Sequence, residues 1–99
     1  MGEFDPAKVR EISLDSVHRV AGRSAGDAKA ELGLDWMQDL VWHITIVQED
    51  EDPPLNPAAK SRIRRTIRDV LVNGGDEHYP FVRFLSRSDV TADLRARPL

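Results

Sequence analysis

Apolar positions recur along the chain in two different periods. Between Pro6 and Ala21, Val9, Ile12, Val17, Val20 and Ala21 share one face at helical spacing, with Leu14 off the stripe. Asp5 ahead of Pro6 supplies a capping carboxylate and a proline suited to a first turn. Gly22 offers the left-handed residue on which helices stop. The pattern predicts a helix over residues 6–21.

The period then changes. Ala28, Ala30, Leu32, Leu34 and Trp36 alternate with Lys29, Glu31, Gly33 and Asp35. That period of two favours a strand over residues 27–35, and a central glycine suits a strand bulge better than a helix interior. Ala25, Ala28 and Leu32 also fit one helical face, so a helix remains the alternative. "MQD" reads as a turn into Leu40–Gln48, whose β-branched and aromatic residues mark a central strand. Its two faces are Trp42, Ile44, Ile46 and Val41, His43, Thr45, Val47.

"EDEDPPLNP" is a loop, because adjacent prolines deny the backbone both helix and ladder bonds. Asn56 and Pro57 start a second helix, with Ile63, Ile67, Val70 and Leu71 as its apolar stripe and Asn73 to Gly75 as its end. Tyr79–Ser86 reads as a third strand, with Pro80 at a strand start or edge. Residues 1–4 and 89–99 read as flexible tails, the second with at most a helical turn begun by Ser88.

The expected fold is therefore an α+β two-layer domain spanning residues 1–99, in the order α-β-β-α-β. A three-stranded mixed sheet would carry two helices on one face. The strands flanking the second helix would be parallel, as a crossover connection allows. So short a chain leaves the other face of the sheet uncovered, and a protein partner or a second copy is expected to cover it.

Composition narrows the classes. Of 99 residues, 40% are hydrophobic and 31% charged, as in a globular domain. The net charge of −3 provides no global field attracting nucleic acid. With no cysteine, disulfides, thiolate metal sites and cysteine catalysis are excluded, and a reducing compartment is the expected home. "MGEFDPAKVR" has no apolar stretch of the secretory kind. The longest apolar run, residues 40–47, is far too short to cross a bilayer. A cytoplasmic protein with no membrane contact is expected.

Candidate chemistry is sparse. "GRSAG", Gly22 to Gly26, fits the G-x-S-x-G turn that lifts a nucleophilic serine out of many hydrolase sheets. That turn leads from a strand into a helix, whereas here the motif follows a helix. Ser24 is therefore expected in a plain helix-to-strand reversal. His18, His43 and His78 lie far apart in sequence. The acidic run Glu49 to Asp52 lacks calcium-loop spacing and reads as a solvated loop, at most a weak divalent-ion contact. No catalytic residue, cofactor site or metal site is expected.

The second helix carries Lys60, Arg62, Arg64, Arg65 and Arg68. Guanidinium groups pair bidentately with phosphate or carboxylate. The cluster could be a solvated face paired with Glu49 to Asp52, a contact for an acidic protein, or a nucleic-acid contact. The layout invites comparison with small KH-type RNA-binding domains, but their GxxG loop is missing, since Gly74 and Gly75 are adjacent. Tyr79, Phe81 and Phe84 likewise lack the pattern of base-stacking sheets.

These readings lead to a non-enzymatic accessory or regulatory domain that acts by protein contact or homodimerisation. Its expected contact residues are Trp36, Trp42 and Phe84 on the sheet and Arg64, Arg65 and Arg68 on the second helix. The alternative is a nucleic-acid-binding module using Lys60 to Arg68. No small-molecule substrate is identifiable.

Overall fold

The structure is a computed structural model and describes residues 4–96. The elements in chain order are α1 (Pro6–Ala21), β1 (Asp27–Leu34), β2 (Leu40–Gln48), α2 (Pro57–Asn73), β3 (Tyr79–Ser86) and α3 (Arg87–Ala96). The strands form one mixed sheet in the order β1-β2-β3, with β1 antiparallel and β3 parallel to β2. The domain is an α+β fold whose helices pack on the sheet.

Both long helices begin and end where their sequence signals lie. Asp5 and Asn56 cap α1 and α2 by accepting from the backbone N–H of Lys8 and Ala59, each at 2.8 Å. Gly22 closes α1 at φ 71°, a left-handed conformation that side-chain-bearing residues avoid, and its N–H donates to His18 O. Segment 27–34 is extended, so the period of two prevails over its helix-forming residues. Pairing with β2 along its whole length decides the matter, from Asp27 opposite Val47 to Leu34 opposite Leu40.

The core lies between the helices and one face of the sheet. Val9, Ile12 and Val17 of α1 and Ile63, Ile67 and Leu71 of α2 meet Ala30, Trp42, Ile44, Ile46 and Val82. Ser13 and Ser16 are buried in this layer too. Their hydroxyls donate to the carbonyls of Val9 and Ile12, which removes the need for any outside partner.

The C-terminal segment differs from the expected tail. Residues 87–96 form α3, which packs against β3 and β2. Arg87 pairs with Glu49 at 2.6 Å, and Ser88 Oγ donates to Asp50 Oδ2 at 2.6 Å. Ser86 and Asp89 cap the turn into it reciprocally. Tail residues 1–3 and 97–99 lie outside the described residues. Among the described residues no helix is long and apolar enough to cross a membrane.

Candidate functional site: the uncovered face of the sheet

Strand alternation sends Ala30, Trp42, Ile44 and Val82 toward the helices and the intervening residues to the opposite side. The register aligns these in rows. Gly33, Val41 and Tyr79 form one row, Glu31, His43 and Phe81 the next, and Lys29, Thr45 and Arg83 a third. Val47, one position further along β2, is buried at the end where α3 begins. Over the second and third rows lies an open groove of about 650 Å³, whose walls include Trp36, His43, Phe81, Lys29 and Arg83.

The groove is aromatic in the middle. The Phe81 ring stacks near His43 at 6.3 Å with an 18° tilt, and Tyr79 meets Phe81 edge-on at 5.0 Å. His43 Nε2 lies 3.3 Å from Leu34 O, which anchors the ring over the sheet. At one end Lys29 pairs with Glu31 at 2.7 Å, and Arg83 Nε donates to Thr45 Oγ1 at 3.0 Å.

The β1–β2 turn rims the opposite end. Asp35 Oδ1 accepts from the N–H groups of Met37 and Asp39, and Gln38 takes φ 69°, so the turn is held in one shape by the Asp35 carboxylate. The effect is to display apolar side chains in water. Trp36 is 84% exposed, Met37 60%, Leu34 55% and Leu40 48%, beside Tyr79 at 52% and Phe81 at 43%. A clustered apolar surface on a small domain marks an interaction site more often than scattered apolar residues do.

The residues expected at a contact divide accordingly. Trp36 borders the free face. Trp42 does not: it is 2% exposed, because it shares the parity of Ile44 and Ile46 and lies under the helices. Its indole Nε1 donates to Asp76 Oδ2 at 2.9 Å. Phe84 also faces the helix side, since it shares the parity of Val82. Arg64 and Lys60 cover its ring, at 5.1 and 5.6 Å from the centroid. Phe81 and Tyr79 occupy the free side of β3 instead.

On α2, Lys60, Arg64 and Arg68 form a stripe along the outer edge of β3. Arg64 Nε donates to Val82 O at 3.3 Å, and Arg68 lies 6.0 Å from the Tyr79 ring centre. Arg65 is exposed and takes no part in these contacts. The expected pairing of these cations with Glu49 to Asp52 does not occur, because Glu49 and Asp50 hold α3. Among the described residues none of the five α2 cations forms an ion pair.

One buried polar constellation was not legible in the sequence. Asp76, in the loop before β3, is 2% exposed and accepts from Trp42 Nε1, from the His78 N–H and from His78 Nδ1, the last two at 2.8 Å. Burial pushes its carboxyl pKa up, but these hydrogen bonds outweigh burial and hold it below the usual carboxylate range. Asp27, at the outer edge of β1, is held low first by its hydrogen bond from Arg10.

Ser24 lies exposed between α1 and β1. His43 is on the free sheet face and His78 is bound to Asp76, so both have partners other than Ser24. Among the described residues no group of His, Asp and Glu is arranged to hold a metal ion. No family model, no curated protein and no solved structure matches the chain.

Proposed function

We propose that the protein is a non-enzymatic accessory domain that works by protein contact through the uncovered face of its sheet. One observation carries the reading. The aromatic side chains of Tyr79 and Phe81 lie exposed on the sheet face that α1 and α2 leave free, and Trp36 lies exposed at its rim. Folding alone gives no reason to keep a tryptophan exposed on a turn fixed by its own hydrogen bonds, whereas burial of such a ring is a main source of affinity in an interface.

A second reading rests on a different observation, the unpaired cations of α2. Lys60, Arg64 and Arg68 present a stripe that an anionic polymer such as nucleic acid could follow, and its binding would weaken steeply with salt.

One comparison separates the two. Solution mass and retained partners are measured at low salt for the native chain, for Trp36→Ser with Phe81→Ser, and for Arg64→Ala, Arg65→Ala and Arg68→Ala together. Association lost only in the first variant supports the sheet-face reading. Nucleic acid retained by the native chain and lost only in the arginine variant overturns it in favour of the second.

A further inference from the structure

The free face carries opposite charges at its two ends. Lys29 and Arg83 lie one row in from the α3 end, with Thr45 between them, Lys29 paired to Glu31 and the end row formed by Asp27, Val47 and Leu85. Asp35, Asp39 and Glu77 rim the other end, around a hollow that includes Val41, Tyr79 and Phe81. Each acid continues the line of a strand whose basic or hydroxyl residue stands at the far end: Asp35 with Lys29 on β1, Asp39 with Thr45 on β2, Glu77 with Arg83 on β3. The Gly33–Val41–Tyr79 and Glu31–His43–Phe81 rows lie between.

We infer that the occupant of this face is a second copy of the chain, an inference that rests on the sheet-face reading above. The two-fold axis lies in the plane of the interface, along the residue rows, so each strand crosses its own counterpart running in the opposite direction. This operation brings Lys29 to Asp35, Thr45 to Asp39 and Arg83 to Glu77 of the other copy, each contact occurring twice. The Tyr79, Phe81 and His43 rings meet between the charged ends, and Trp36 passes from solvent into the contact. An axis along the strands would set acid on acid and base on base, which the charge pattern penalises.

Edge-to-edge pairing is a poorer route to a dimer. Arg10 Nε donates to Ala28 O at 2.9 Å on the outer side of β1, and Arg64 occupies Val82 O on the outer side of β3. A pairing strand would have to displace both guanidinium groups.

The test uses the full chain and sedimentation equilibrium, with Arg83→Glu, Glu77→Arg and the combined exchange, each checked for native thermal unfolding. The native chain is expected to dimerise. Each single reversal should raise the dissociation constant roughly tenfold or more, and the exchange should bring it back toward the native value. Because the chain has no cysteine, His43→Cys gives a clean second readout. A short bismaleimide should join two copies through position 43 and not through Arg62→Cys on α2. A monomeric native chain at millimolar concentration, a combined exchange no tighter than either reversal, or equal cross-linking at both positions would overturn the inference. If the native chain is monomeric but still loses a bound protein on Trp36→Ser with Phe81→Ser, the sheet-face reading survives and only the second copy is rejected. If neither association is present, both fall.

Discussion

Trp42 Nε1 donates to Asp76 Oδ2 at 2.9 Å, tying the centre of the sheet to the loop that launches β3. The bond explains how a carboxylate can be buried in a core built from aliphatic side chains. Asp76→Ala would strand the indole N–H and both His78 donors, so unfolding should show a loss of about 2–3 kcal/mol. Asp76→Asn keeps an acceptor for Trp42 and should lose about half as much. Denaturant midpoints at unchanged slope measure both.

The same carboxylate sets an acid limit on stability. Its folded-state pKa lies below the usual value, so its contribution is fully present above the unfolded pKa of about 3.9 and disappears as pH falls through the lower folded value. Asp76→Asn removes this dependence. Midpoints followed from neutral pH down to about 3 should fall less steeply in that variant than in the native chain. Equal slopes would show that Asp76 is not held low by its partners.

The arginines on the two sheet edges protect those edges. Arg10→Ala removes a part-buried hydrogen bond to Ala28 O and an exposed ion pair with Asp27, and Arg64→Ala a part-buried hydrogen bond to Val82 O, so each should cost about 1 kcal/mol. Together they uncover carbonyls on both outer strands. Static light scattering should then show faster aggregation than in the native chain when the two are compared at temperatures giving the same unfolded fraction, the mark of lost edge protection rather than lost stability.

Attachment of α3 depends on the loop after β2. Glu49→Gln removes the ion pair with Arg87 while keeping the volume of the side chain. Hydrogen exchange should accelerate in residues 87–92 and stay unchanged in β2. Uniform acceleration would mean that α3 is held by other contacts.

Much of this fold was readable in advance, for identifiable reasons. Asp5–Pro6 and Asn56–Pro57 are local signals whose physics needs no tertiary context. Alternation through β1 and β2 sorted their residues into two faces without saying which one the helices cover. The same rule applied to β3 would have put Phe84 in the core, because Arg83 marks the solvent face and Phe81 shares its parity. Parity grouped Trp42 with Ile44 and Ile46, but the opposite face of β2, with Val41 and Val47, is apolar too, so alternation alone did not show that the helices cover Trp42. Asp76 was hidden because its partner Trp42 is remote in sequence and nothing local marks a carboxylate as buried. The destination of Lys60, Arg64 and Arg68 over β3 depends on how α2 lies across the sheet, which a helical wheel does not contain.

The proposed contact requires that side chains on the free sheet face be covered when the protein acts. Hydroxyl-radical footprinting of Trp36, Tyr79 and Phe81 tests it directly, comparing the dilute purified chain with the chain in its own concentrated cell extract. All three rings should be protected in the extract while His18, exposed on α1, reacts equally in both. Equal reactivity of Trp36, Tyr79 and Phe81 in the two samples would contradict it.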